Sequence, residues 1–215
     1  MNGSVVFREA GELLRSYRVL FRELYVRSKA ACIKTRWFRF LRRRRVILLP
    51  EKVQNILVLC KGNICRSPLA EAYLRSILEP ESGITVVSAG LDTTDGKPAH
   101  PFARSVAGLH GLTLEKHLTA QMTREMVDKA DVILVMELAQ LSMLLKLCPK
   151  VRGKVFVLSE FNGSSCVDIH DPFSGTVDDF QECLRIIRDS CNGFVSQLQK
   201  RRNDLSGTSA GKMEQ

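Results

Sequence analysis

The sequence predicts an α/β fold: a doubly wound four-stranded parallel sheet with helices on both faces, preceded by a basic helical extension. Three observations predict it. Four short segments, Ile56-Leu57-Val58-Leu59, Ile84-Thr85-Val86-Val87-Ser88, Asp131-Val132-Ile133-Leu134-Val135-Met136 and Lys154-Val155-Phe156-Val157-Leu158, read as strands, the first a continuous apolar run buried on both faces. Segments with helical spacing separate them, the alternation of a parallel sheet. The first run ends in a tight loop that leads straight into a helix start.

At 215 residues, 45% of them hydrophobic, the chain has room for one ordinary domain and an appendage. Charge divides it. Residues 1–52 hold 14 Lys/Arg against 4 Asp/Glu, whereas residues 53–215 hold 18 against 19. The seven cysteines, at 32, 60, 65, 148, 166, 183 and 191, form neither a disulfide framework nor a metal-ligand pattern, so no metal or cofactor is expected and a reducing cytoplasm suits them.

Taken in order, residues 4–45 read as one or two amphipathic basic helices, with Leu13, Leu14, Tyr17, Leu20, Phe21 and Leu24 at three- and four-residue steps. Trp37-Phe38-Arg39-Phe40-Leu41-Arg42-Arg43-Arg44-Arg45 then interleaves aromatics with cations. No apolar run approaches the roughly 20 residues of a membrane span, and a secretory signal would need a longer apolar core. Two readings stay open for residues 1–52. One is an arm that docks on an anionic surface, a membrane face first through residues 1–50, with no specific nucleic acid predicted. The other is a helical hairpin packed on the domain, or a poorly ordered tail. Pro50 and Glu51 mark the boundary before a domain over 53–200, and the small polar residues of 201–215 predict a flexible tail.

Within the domain, a helix follows the first loop to Leu78 and stops at Glu79-Pro80-Glu81-Ser82-Gly83. Helical spacing returns over 101–110, stopped by Gly111, then over 120–130 and from Glu137 to Cys148, closed by Pro149. A loop rich in Gly, Ser and Asp spans 159–177, and Asp178-Asp179 opens the last helix, to about Lys200. The site belongs beyond the carboxyl ends of the strands. Cys60 and Ser88 stand there.

The loop Cys60-Lys61-Gly62-Asn63-Ile64-Cys65-Arg66-Ser67-Pro68 carries the chemistry. Lys61-Gly62-Asn63 tolerates positive φ. Ser67 before Pro68 reads as an N-cap followed by a helix whose first turn accepts proline. Such a loop turns backbone N–H groups inward beside a helix N-terminus and makes an anion site. Arg66 adds a planar fork for two phosphate oxygens. The same positive potential suits Cys60 as a nucleophile. Phosphoryl transfer to sulfur is the chemistry this points to.

This loop resembles that of the low-molecular-weight protein tyrosine phosphatases, bacterial-type members in particular, through C-x5-R-[ST] with the more demanding interior G-N-x-C-R-S-P. The resemblance covers roughly residues 53–200 and leaves out the basic extension. It implies hydrolysis of protein phosphotyrosine, without metal, through a phosphocysteine intermediate on Cys60. Arg66 and the loop residues Lys61, Gly62, Asn63, Ile64, Cys65 and Ser67 would hold phosphate, with Ser67 donating to the thiolate. Asp171-Pro172-Phe173 matches the family's D-P-aromatic segment, so Asp171 is the implied general acid, Pro172 holds the loop and Phe173 lines the pocket. Ser88 and His117 match residues that brace the loop through Asn63, although His117 also reads as a plain structural histidine. Asp131 and Glu137 match structural acids. His100, His110 and His170 receive no role. Cys65 reads either as a small buried residue or as a disulfide partner that shields Cys60. Ala120 stands where many members carry a basic residue, and the 91–96 loop lacks an aromatic wall.

The implied partner is a phosphotyrosine protein, for bacterial members an autophosphorylating tyrosine kinase. Three rivals remain. Arsenate reduction needs relay cysteines, and none falls in 91–120. Phosphoarginine hydrolysis goes with a small Thr where Ile64 stands. A non-catalytic anion-binding scaffold would have dispensed with Cys60, Arg66 or Asp171.

Overall fold

The computed structural model describes residues 47–163 and 168–210, with side chains to 204. The basic helices expected over 4–45 lie outside the described residues. Four parallel strands, β1 (Asn55–Cys60), β2 (Thr85–Gly90), β3 (Val132–Val135) and β4 (Val155–Val157), form one sheet in the order β2-β1-β3-β4. Among the described residues five α-helices accompany them: α1 (Arg66–Ile77), α2 (Pro101–Leu109), α3 (Arg124–Lys129), α4 (Leu138–Leu147) and α5 (Val177–Ala210). The doubly wound sheet predicted from the alternation is the one observed.

Alternate residues of β1, β3 and β4 enter opposite cores, while the edge strand β2 leaves Thr85 and Val87 exposed. Ile56, Val58, Val132, Leu134 and Phe156 pack with α1, α2 and α5, while Leu57, Leu59, Ile133, Val135 and Val157 pack with α3 and α4. Register holds Ile56 beside both Val86 and Val132, and Leu134 beside Phe156. Asp131 sets where β1 begins. Its Oδ2 accepts the N–H groups of Gln54 and Asn55, each at 2.8 Å, which makes it the structural acid expected. Burial alone would raise its pKa, but these donors outweigh burial and hold it below the ordinary carboxylate value.

Several boundaries differ from expectation. Helix α1 begins at Arg66, with Cys65 as its N-cap residue, so Ser67 sits inside the first turn rather than capping it. Pro68 is still tolerated, because first-turn N–H groups have no intrahelical partner. Strand β2 runs on to Gly90, which places Ser88 two residues before its end. Gly90 is required there, since a Cβ would lie 2.7 Å from Thr93 Cγ2. Of the tail expected to be flexible over 201–215, residues 201–210 continue α5 as helix.

Helix α5 closes the first core with Phe180, Leu184, Ile187, Cys191 and Phe194. Each fully buried Leu, Ile or Phe contributes about 1.5–3 kcal/mol. Its Gly193 lies against the backbone oxygen of Phe161, where no Cβ fits. Among the described residues, no helix is long and apolar enough to cross a membrane.

Candidate active site

The site forms where β1 stops and α1 starts. Cys60 is the last residue of β1, and the five residues after it curl around its sulfur before Arg66 opens the helix. The Asn63 N–H donates to Cys60 Sγ at 3.2 Å, and Ser67 Oγ lies 3.0 Å from the same sulfur. Asn63 has φ 53°, and it alone among the described non-glycine residues has a positive φ. Of the three loop residues expected to tolerate that conformation, Asn63 adopts it and Gly62 does not.

Asn63 holds this conformation through its side chain and its carbonyl. Its Oδ1 accepts the Ala120 N–H at 2.9 Å, which fixes the orientation of the amide because a backbone N–H can only donate. Its Nδ2 then donates to Ser67 Oγ and to Ser88 Oγ, each at 2.9 Å. Ser88 donates onward to Glu71 Oε2 at 2.5 Å. Ser67, accepting from Asn63, keeps its own proton available for the Cys60 sulfur. His117 Nε2 meets the Asn63 carbonyl at 2.9 Å and must be the protonated nitrogen, since the carbonyl only accepts. Ser88 and His117 therefore both touch Asn63. Ala120 reaches it by backbone, so no basic side chain is needed at that position.

Arg66 is buried, and three partners hold its guanidinium. Nη1 donates to Glu137 Oε1 at 2.7 Å and to the Ile169 carbonyl at 3.0 Å, while Nη2 donates to Asp171 Oδ2 at 2.7 Å. Burial works against the cation, but the charges of Cys60, Asp171 and Glu137 outweigh it and raise the arginine pKa. Arg66 Nε is buried and has no hydrogen-bond partner. An orphaned buried donor is uncommon, and an oxygen of a bound oxyanion would satisfy it. No protein cation beyond Arg66 is needed for that fit.

The late loop is pinned to the same place. Ile169 N–H donates to the Met136 carbonyl, and Asp168 Oδ1 accepts the Leu138 N–H. Pro172 is buried and Phe173 is exposed. Cys60, Lys61, Gly62, Ile64, Cys65, Arg66, Asp92, Asp171 and Phe173 line a pocket of about 220 Å³. The three residues expected to carry the chemistry thus share one cavity.

Neither loop cysteine is joined in a disulfide. Burial, with the charges of Cys60 and Asp171 adding to it, pushes the Cys65 thiol up. Cys183 is pushed up to about 12, chiefly by burial, and burial alone raises Cys191.

Sequence reasoning missed four neighbours. Asp92 lines the pocket, Glu71 closes the Ser88 chain, and Glu137 does more than stand as a structural acid, since it holds Arg66. His100, assigned no role, accepts the Phe102 N–H on Nδ1 at 3.2 Å and caps α2. A polar residue directly before Pro101 was a readable cap signal.

The chain matches the family model for low molecular weight phosphotyrosine protein phosphatase over residues 55–204. It is 38% identical over 147 residues to a probable low molecular weight protein-tyrosine-phosphatase, EpsP, of Ralstonia nicotianae, covering 68% of this chain and 97% of that protein. The tyrosine phosphatase AmsI of Erwinia amylovora superposes with a TM-score of 0.63 at 32% identity, over 68% of this chain and 93% of that one. The YwlE arginine phosphatase of Geobacillus stearothermophilus superposes with a TM-score of 0.65 at 30% identity, over 70% and 96%. A cysteine at the end of the first strand, an arginine fork beneath it and a family match spanning the whole sheet agree: the chain belongs to the low molecular weight phosphotyrosine protein phosphatase family.

Proposed function

We propose that this protein hydrolyses protein phosphotyrosine through a phosphocysteine intermediate. One observation carries the reading: Cys60, Arg66 and Asp171 share a single pocket, where the sulfur accepts the Asn63 N–H and lies 3.0 Å from the Ser67 hydroxyl. Phosphate enters over Cys60, its oxygens meeting the loop N–H groups and the open Nε of Arg66. The dianion displaces Asp171 from the Nη2 end of the guanidinium, which frees the carboxylate to take up a proton from solvent and face the leaving oxygen as an acid.

In the first step Cys60 sulfur attacks phosphorus in line. The P–O bond to tyrosine breaks, its electron pair stays on the phenolic oxygen, and Asp171 gives that oxygen a proton. In the second step Asp171 takes a proton from water, whose oxygen attacks phosphorus. The S–P bond breaks, and its pair returns to Cys60 with release of phosphate. Asn63, Ser67, Ser88 and His117 position the loop, Lys61 adds positive potential at the mouth, and Gly62 and Cys65 complete the cradle. Pro172 holds the acid loop, while Ile64 and Phe173 flank the substrate ring.

Phosphoarginine is the second reading, favoured by the likeness to an arginine phosphatase. Ile64 and Phe173 offer apolar walls that suit a flat phenyl ring better than a guanidinium. The test is turnover of para-nitrophenyl phosphate, a phosphotyrosine peptide and a phosphoarginine peptide in the absence of metal. The parent is expected to prefer phosphotyrosine, with activity lost in Cys60→Ser. Preference for phosphoarginine would reverse the assignment.

By resemblance to bacterial members, the substrate protein is an autophosphorylating tyrosine kinase, and residues 53–200 are the catalytic unit. The 14 Lys/Arg of residues 1–52 support a docking arm for an anionic membrane face beside such a kinase. Removing residues 1–50 should abolish pelleting with anionic vesicles and leave para-nitrophenyl phosphate turnover unchanged. Equal pelleting by the truncated chain would refute the arm.

A further inference from the structure

Two aromatic side chains, Phe173 and Phe102, are more than a third exposed (57% and 38%), and no other aromatic appears among the exposed large hydrophobic residues described. Both flank one histidine. His100 stacks on the buried Phe180 with centroids 4.8 Å apart and planes at 18°. Phe173 meets the His100 ring edge-on at 5.7 Å, and Phe102 does so at 5.4 Å from its own position. Phe102 also touches Phe180 at 5.7 Å. The three rings form a ledge fixed from beneath by a residue of α5.

The ledge is also tied to the phosphate loop. His100 N–H donates to the Ile64 carbonyl at 2.9 Å, and Phe173 is both the outer wall of the pocket and the first ring of the ledge. Exposed hydrophobic residues scattered singly need no explanation. Aromatic rings packed edge to face beside a pocket are different, because such rings carry much of the energy of binding surfaces.

We propose that this ledge is a specificity subsite that receives an aromatic or large aliphatic side chain two residues from the phosphotyrosine. In an extended segment, side chains two apart share a face and lie about 6.6–6.8 Å from each other. The step from Phe173 to His100, 5.7 Å, is about 1 Å shorter than that stride, so a side chain two residues on reaches the His100 ring, which Phe102 borders at 5.4 Å. A segment whose phosphotyrosine lies against Phe173 therefore lays its next same-face side chain over His100 and Phe102. The continuity of the ledge with the pocket favours substrate as the occupant. The inference rests on the phosphotyrosine reading above.

The test uses the full chain and three phosphotyrosine peptides: one with alanine at all flanking positions, one with phenylalanine two residues before the phosphotyrosine, one with phenylalanine two residues after it. One phenylalanine peptide should show kcat/KM about threefold to tenfold above the alanine peptide. Phe102→Ser should remove that gain without changing para-nitrophenyl phosphate turnover, and Phe102→Leu should keep part of it. No gain for either phenylalanine peptide, or a gain that survives Phe102→Ser, would overturn the subsite while the alanine peptide still turns over. Failure of every phosphotyrosine peptide would overturn the phosphotyrosine reading and the subsite with it. Loss of vesicle pelleting in Phe102→Ser, with peptide preferences unchanged, would assign the ledge to a membrane surface and overturn the proposal.

Discussion

Arg66 holds two carboxylates at the same 2.7 Å, and the prediction is that removing the charge of each has opposite consequences. The Glu137 side chain is 7% exposed and the Asp171 side chain 36%. Charges about 4 Å apart attract by roughly 4 kcal/mol at an effective dielectric constant of 20, and removing one partner of a buried pair costs about 3–5 kcal/mol. Glu137→Gln keeps the shape and one acceptor for Nη1, and Asp171 remains on Nη2, so a loss of about 2–4 kcal/mol is expected. Asp171→Asn breaks a pair open to water, where screening leaves about 0–1 kcal/mol. Urea unfolding of the parent and both variants, with m-values compared, measures this. Turnover should rank the other way, Asp171→Asn slower than Glu137→Gln on a phosphotyrosine peptide. A loss below about 0.5 kcal/mol in Glu137→Gln, or equal losses in the two variants, would refute the idea that burial separates a structural carboxylate from a chemical one here.

Further tests reach other parts of the molecule. Asn63→Ala removes bonds to Ser67, Ser88 and Ala120 and should slow turnover about 10- to 100-fold, as expected when a reacting atom is misplaced; unchanged kinetics would show that the loop holds itself. Gly193→Ala drives a methyl group into the Phe161 carbonyl and should destabilise by about 1–3 kcal/mol despite better helix propensity, read by thermal melting. Native alkylation at pH 7.5 followed by peptide mapping should modify Cys60 and spare Cys65, Cys183 and Cys191, whose burial keeps them as thiols. Asp131 has a lowered folded pKa, so its contribution is fully present above the unfolded value of 3.8 and is lost as pH falls through the folded value. The stability gap between the parent and Asp131→Asn should therefore be constant above about pH 5 and shrink below pH 4; a constant gap would remove the charge from the explanation.

The parts of the fold legible in the sequence were those encoded locally. Strands β1, β3 and β4 show as unbroken apolar runs, and the loop from Cys60 to Pro68 compresses nucleophile, anion cradle and arginine into nine consecutive residues. Pairings between distant residues leave no such trace. Glu137 lies 71 positions from Arg66, and nothing in the spacing of either discloses that they meet. Glu71 reads as an ordinary exposed helix position, yet it orients Ser88 and through it Asn63. Ser67 has the composition of an N-cap, but its hydroxyl is engaged by Asn63 and Cys60, so the helix begins one residue before it. His100 was passed over because its contacts are rings from three separate segments, Phe102, Phe173 and Phe180.

The central claim is that phosphate passes through Cys60, and trapping that intermediate tests it most directly. Asp171→Ala should slow release of phosphate, so acid quenching during turnover of para-nitrophenyl phosphate, whose leaving group departs without protonation, followed by peptide mass spectrometry, should find one phosphoryl group on Cys60. No such species should form in Cys60→Ser with the same substrate. A Cys60→Ser protein that turns over at the parent's rate, or a phosphoryl group found on another residue, would contradict the account.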